Sequence, residues 1–448
     1  MNGTAWDRLL NLWERLKNSL WFVPVVMTVT AGLFAFVALR LDAGLAGRER
    51  VWWLHSGKAE SASDLLSTLL SSIITMTTLA ISITMVVLTL AASQLGPRLI
   101  RSFIGNRRTQ VALGIFVMTI VYLLLVYRRV DDHLDREDVP HVAITIGSAL
   151  ALACVFVLLL YVHHLARSIV ADTVIARVGG ELDGTLGRLL PEPAPGGPED
   201  ERAAAGEPPP VGEPLHLPGG GYVQAILYEK LTRCAAEAGV VVQLDFRAGH
   251  HLLPGGRHGR VRPPERLTPE LVAAIAGCVV VGSERTPTQD LEFSIRQLEE
   301  VALRALSPSV NDPFTAIAVI DRLAMSLALA MGRDMAPLFH RDAAGTIRVI
   351  GRPATFTGLV DEAFDQIRQA AAGNAAVLIR LLEVVAELAC HLRTAEQREA
   401  LGRHAAMIAS AGRRGIEEEH DLAALDRRHT AAVRALGAAP LAEPARSP

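Results

Sequence analysis

"LLSTLLSSIITMTTLAISITMVVLTLAAS", residues 65–93, runs from Leu65 to Ser93 without a single charged side chain. A helix needs about 20 apolar residues to cross the hydrocarbon of a bilayer. A span must satisfy its own backbone, and this run is too long and continuous for a barrel strand. Its hydroxyls are also not scattered. At about 100° per residue, Ser67, Ser71, Thr75, Thr78, Ser82, Thr89 and Ser93 fall within roughly a quarter of the circumference. Leu69, Ile73, Met76, Ala80, Val87 and Ala91 occupy the opposite face, while Thr77 and Thr84 fall off the stripe.

Three further apolar runs flank this one, at residues 20–39, 111–127 and 142–162. The first is too long for the core of a cleavable signal. Four crossings are therefore expected within residues 20–165. The segment between the second and third crossings carries Arg98, Arg101, Arg107 and Arg108 and no acid, whereas the next loop is dominated by Asp131, Asp132, Asp135, Glu137 and Asp138. The Lys/Arg bias makes the basic loop cytoplasmic and puts both termini on that side of the membrane. Residues 1–19, with Trp6, Leu9, Leu10, Trp13 and Leu16 at helical spacing, read as an amphipathic helix lying in the interface.

After the fourth crossing, residues 166–220 read as a juxtamembrane helix and a Pro/Gly-rich linker. A cytosolic α+β domain is expected over 221–437 and a disordered tail over 438–448. Within that domain, short strands are expected from about Val240 to Val261, and helices from Thr286 onward with one hairpin near "HRDAAGTIRVIG". The glycine run Pro218–Gly221 reads as the opening of a helix. The fold class is thus mainly α: a four-helix transmembrane region followed by a cytosolic α+β domain.

"RALSPSVNDPFTA", residues 304–316, interrupts the helical pattern. Pro308 ends one helix soon after Ser307. Asn311 suits a tight turn, and Asp312 stands before Pro313 as an N-cap before a first-turn proline. The stretch reads as a corner between two helices, with Arg304, Asn311 and Asp312 its polar candidates for a ligand. Together with "SSIITMTTLAISITMVVLTLAASQLGPRLIRSFIGNRRTQVALGIFV" and "GYVQAILYEKL", it resembles the bacterial integral-membrane family catalogued as domain of unknown function 2254, over about residues 20–430. The resemblance implies a four-crossing inner-membrane protein with a cytosolic C-terminal region. It implies no activity.

Several classes are excluded or disfavoured. Net charge is −3, so nucleic acid is not an expected partner. GxSxG, Walker, HExxH and dinucleotide patterns are absent, so the protein is not expected to be an enzyme. No catalytic residue, cofactor or metal site is assigned. The four cysteines stand far apart and are expected as free buried thiols, and the adjacent pairs His163–His164 and His250–His251 point apart from any regular element.

Two functions remain. An oligomeric ion channel or channel-like regulator would turn the hydroxyl stripe toward a shared axis, because neutral hydroxyls wet a wall without trapping an ion. A membrane-anchored scaffold would instead bind a cytosolic protein partner through its helices, leaving the stripe to helix packing. The lipid bilayer is a partner in both, and the channel requires a homo-oligomer.

Overall fold

A computed structural model of the chain describes residues 22–45, 59–95, 107–130, 139–168, 170–192, 212–335 and 338–439. The expected interfacial helix at 1–19, residues 193–211 of the linker and residues 440–448 of the tail lie outside the described residues. The chain divides into two compact units between Thr173 and Val174.

The first unit holds four apolar helices: α1 (Phe22–Leu45), α2 (Ala59–Leu95), α3 (Arg107–Tyr127) and α4 (His141–Ser168). Each is long and apolar enough to cross a membrane, with window hydropathies of 2.3, 2.2, 2.3 and 2.6. They coincide with the four runs in the sequence, and α2 and α4 extend past theirs at both ends. The third is central. It packs against the other three, and 56% of its apolar window is buried, against 22%, 22% and 28% for α1, α2 and α4. Phe116, Tyr122, Leu123 and Val126 fill the middle of the bundle. Gly114 lets α1 approach closely, since a Cβ there would sit 2.4 Å from the Met27 sulfur. Small residues at such crossings are what membrane helices use to gain contact area.

The seam by which α2 joins this bundle is Ala59, Ala62, Leu66, Ile73, Thr77, Ala80, Thr84 and Ala91, all buried. Spacings of three, four and seven keep the seam on one line along the helix. At 37 residues, α2 is about 55 Å long, well beyond the roughly 30 Å of hydrocarbon.

The second unit begins within the first turn of α5 (Ala171–Leu189), whose buried face runs through Val174, Val178, Leu182 and Leu186. Two small sheets follow. Strands β1 (Glu213–Leu215), β2 (Gly221–Ile226), β3 (Val241–Leu244), β4 (His251–Leu252), β5 (Gly259–Arg262) and β6 (Val279–Gly282) precede the helical half, and β7 (Leu338–Arg341) and β8 (Ile347–Gly351) form a hairpin within it. The five-stranded sheet has the order β1-β5-β3-β8-β7, with β3 and β8 parallel; the three-stranded sheet β4-β2-β6 is antiparallel. Helices α6 (Tyr228–Ala238) and α7 (Pro269–Ala276) accompany them, with Leu231, Ala235, Leu271 and Ile275 in one core with Val242, Val261 and Val349.

The strands expected between Val240 and Val261 and the hairpin are present. Two expectations change. Strand β1 falls inside the stretch read as linker, because it pairs with β5. The glycine run opens β2 rather than a helix: Gly221 has φ +128°, and a Cβ there would lie 2.7 Å from the Gly282 carbonyl oxygen, so the close strand pairing needs glycine.

The helical half comprises α8 (Leu291–Ala305), α9 (Pro313–Met331), α10 (Phe356–Ala370), α11 (Ala375–Leu388), α12 (Ala395–Gly415) and α13 (Glu419–Ala438). Caps set its boundaries: Asp290, Asp312, Thr355, Asn374 and Thr394 each accept a backbone N–H of the following helix, and Thr394 with Gln397 forms a capping box. By length and composition α9 is a fifth apolar helix, with hydropathy 1.7. Its polar groups are nevertheless paired inside this unit. Arg322 and Ser326 bond Asp183 of α5 at 2.5 and 2.6 Å, and Asp321 accepts from Arg380 of α11 at 2.6 Å. It is a core helix of the second unit.

Candidate functional site

The hydroxyl stripe of α2 faces away from its own bundle. Ser71, Thr75, Thr78, Ser82, Thr89 and Ser93 are exposed, and Ser67 is half-buried. The face predicted to lie opposite is the one that packs: Ile73, Ala80 and Ala91 are buried, and Leu69, Met76 and Val87 lie against the core. Exposed Ile74 and Ile81 border the stripe on one side, and Leu79, Val86 and Leu90 on the other. The result is a polar strip about 80° wide, widened at one end by exposed Thr68 and Ser72, between two largely apolar rails. Met85, 62% exposed, interrupts it.

Six of the seven hydroxyls donate to a carbonyl of their own helix. Ser67 donates to Asp64 O at 3.0 Å, Thr75 to Ser71 O, Thr78 to Ile74 O, Ser82 to Thr78 O and Thr89 to Met85 O at 2.9 Å each, and Ser93 to Leu90 O at 2.9 Å. This spends the O–H on the backbone and leaves oxygen lone pairs on the outer surface. The strip therefore presents acceptors rather than donors.

The two threonines off the stripe have the opposite role. Thr77 and Thr84 are buried in the seam, and Thr84 Oγ1 makes a short hydrogen bond with the Tyr161 hydroxyl of α4. Thr119 accepts from Cys154 Sγ at 3.2 Å between α3 and α4. These inter-helix contacts are the polar packing that the scaffold reading had assigned to the stripe. Sequence spacing marked Thr77 and Thr84 as outliers but could not show their partners.

The basic cluster is divided. Arg107 and Arg108 are the exposed first residues of α3 rather than loop residues; Arg98 and Arg101 lie outside the described residues. On the same unit, Asp42 near the end of α1 accepts the backbone N–H of Val142 and Ala143, both at 2.8 Å. Nothing in its local sequence marks it as the cap of a helix 100 residues away.

In the second unit, the corner at 304–316 is built from backbone and cap bonds. Asp312 N donates to Ala305 O at 2.7 Å, and Asn311 N donates to Ser307 O at 2.9 Å. Asn311 takes a left-handed φ of 48°, which Asn tolerates well. Asp312 Oδ1 accepts Phe314 N and Thr315 N at 3.1 Å, and Oδ2 accepts the Thr315 hydroxyl at 2.6 Å. The Thr315 hydroxyl and these amides hold the Asp312 carboxyl below its ordinary pKa. Pro313 occupies the first helical position, and Ser307 donates to Arg304 O at 2.7 Å. Arg304 lies on the last turn of α8, 3.7 Å from Glu300. Beside this corner, Val310 and Phe314 are 53% and 81% exposed.

A second charged group surrounds His250. Arg285 forks onto Asp290 at 2.6 and 2.8 Å and reaches Glu292, which also pairs with Arg247. Burial, together with Arg247 and Arg352, pushes the His250 pKa down to about 4. His251 instead is exposed, its ring meeting Tyr222 edge-on, so the pair does diverge. The cysteines are free; Cys154 and Cys278 are buried, Cys234 half-buried and Cys390 exposed, the last a departure from the expected burial. Among the described residues no three His, Cys, Asp or Glu side chains converge where a metal ion could sit.

Apolar helices of crossing length, followed by a unit of small sheets and helices, define a predicted multi-pass membrane protein. The chain belongs to the predicted membrane protein family known as domain of unknown function 2254, which it matches over residues 17–387. It is similar to an uncharacterised protein of Mycobacterium bovis and to one of Mycobacterium tuberculosis strain H37Rv. Each is 29% identical over 415 residues, covering 92% of this chain and 79% of the relative. No solved structure matches the chain.

Proposed function

We propose that the protein is a homo-oligomeric ion channel or channel-like regulator of the bacterial inner membrane, with copies of α2 facing a shared axis. The observation that supports this reading is the orientation of the hydroxyl strip: it is turned away from the helices of its own bundle, which pack on the alanine-rich seam instead. Hydroxyls facing hydrocarbon gain nothing, whereas apolar rails beside a polar strip suit contact with neighbouring copies around a wetted centre. Because the strip presents oxygen acceptors, the path favours cations over anions. The basic loop and both termini are cytoplasmic in this reading, as is the second unit.

The test is flux from purified protein in liposomes, together with its mass in detergent. Cation flux from a defined oligomer, blocked or made anion-selective by Thr78→Lys, is the expected result. A monomer without flux overturns the reading.

The second reading, a membrane-anchored scaffold that binds a cytosolic partner, draws on the exposed Val310 and Phe314 beside the helix corner. Phe314→Ser leaves flux unchanged under the channel reading. It abolishes partner capture under the scaffold reading.

A further inference from the structure

The corner that joins α8 to α9 leaves its apolar side chains bare. Phe314 is 81% exposed, and among the described residues no large apolar side chain is more so, those of the four apolar helices included. Val310, four residues earlier, is 53% exposed. Around them Pro308, Ser309 and Asn311 are exposed and uncharged. Residues 306–316 hold no Lys or Arg, and their one acid, Asp312, is spent on the α9 cap. A lone exposed apolar residue is ordinary, whereas two on one corner call for a partner.

The place of the corner along α5 points to that partner. Helices α5 and α9 run parallel, each α9 residue meeting the α5 residue numbered 143 lower. Arg322 crosses Gly179, where a Cβ would collide with the arginine side chain. Ser326 donates to Asp183 at 2.6 Å, and just past both helices Asp334 N donates to Pro191 O at 3.0 Å. The same offset sets Phe314 level with Ala171, the first residue of α5. Helix α8 runs the other way. Arg188, near the end of α5, donates to Thr288 O just before α8 starts, so α8 finishes at the end of the unit where α5 begins.

That end is the one tied to the membrane. The apolar run of α4 closes at Val162, and His163, His164 and Arg167 follow. Only residues 169 and 170 separate α4 from α5. Three chain steps reach at most about 11 Å, so connectivity alone keeps the start of α5 beside the point where α4 leaves the bilayer.

We propose that this corner docks on the protein's own bilayer, with Val310 and Phe314 entering the boundary between headgroups and acyl chains. Apolar anchors among small polar groups suit that layer. The partner is neutral lipid, because the corner offers apolar surface and hydroxyls but no cation for an anionic headgroup. Docking requires only that α4 span the membrane, and it holds with or without a channel.

The test uses full-length protein in phosphatidylcholine nanodiscs, with Cys234 and Cys390 replaced by Ser and a nitroxide on Val310→Cys, Phe314→Cys or Met325→Cys. Cys154 and Cys278 are buried and stay. Met325 is the internal control. It is 66% exposed on nearly the same face of α9 as Phe314, but about 16 Å farther along the helix from the corner. All three side chains are exposed, so labelling leaves the core intact. Electron paramagnetic resonance reads the accessibility of each label to oxygen, which concentrates in lipid, and to a water-soluble nickel chelate. The oxygen-to-nickel ratio at 310 and 314 is expected to exceed that at 325 several-fold. Equal ratios at 314 and 325 overturn the proposal. Protection of 310 and 314 from both reagents also overturns it, and shows that a second copy or another protein covers the corner instead.

Discussion

Asp42 closes the N-terminus of α4 from a different helix: its two carboxylate oxygens take the Val142 and Ala143 N–H groups at 2.8 Å each. The first N–H groups of a helix have no intrahelical acceptor, and their positive dipole end favours an anion. Close by, Tyr122 of α3 donates to Ala143 O at 2.9 Å, so three helices meet at this point. Asp42→Ala should destabilise the first unit by about 1–2 kcal/mol, the range for a lost cap. Asp42→Asn should cost less, since one acceptor oxygen remains. Thermal unfolding in detergent measures both.

Thr78 and Thr84 stand six positions apart on α2 and should respond in opposite ways. Thr84→Val removes a buried hydrogen bond to Tyr161 and leaves that hydroxyl unpaired, costing about 1–3 kcal/mol. Thr78→Val removes an exposed hydroxyl bonded only to its own helix, so bundle stability should change by less than about 0.5 kcal/mol. Any effect of Thr78→Val should appear in flux or assembly mass. Equal loss of stability in the two variants would contradict the orientation of the strip.

Asp312→Ala should lower the stability of the second unit by about 1 kcal/mol through loss of the α9 cap. The carboxyl pKa is lowered in the fold, so the contribution is present above the ordinary carboxylate range and disappears as pH falls through the folded value. The difference between wild type and Asp312→Ala should therefore shrink below about pH 4. Chemical denaturation at pH 7 and pH 3.5 makes the comparison.

His250 sets a second pH dependence. Its folded pKa is about 4, below the ordinary 6.5. The unfolded chain then binds the proton that the folded chain excludes, so stability is full above pH 6.5 and declines as pH falls toward 4. Replacing His250 with Gln should flatten that part of the profile, measured as melting temperature against pH. An unchanged slope would show that His250 is not the group responsible.

What could be read in advance was what depends on local spacing. Four apolar runs gave four helices, the Asp312–Pro313 pair gave a capped corner, and the angular positions of Ser71 through Thr89 gave a strip. What could not be read was which neighbour each face meets. Val279–Gly282 is short and apolar enough for either a helix or a strand, and only pairing with β2 decides it. Glu213–Leu215 lies beside a proline-rich stretch and becomes a strand because β5 is there to receive it. The Asp42 carboxylate and the Tyr161 partner of Thr84 are long-range meetings of the same kind. The direction of the strip depended on the alanine seam, which composition alone could not distinguish from a lipid-facing side.

The central position of α3 also constrains how the bundle can be assembled during synthesis. Helices α1 and α2 emerge first, yet each finds its main partner in α3 rather than in the other. The two earliest spans must therefore reside in the bilayer as separate rods until the third enters, and only then can the first stable helix pair form.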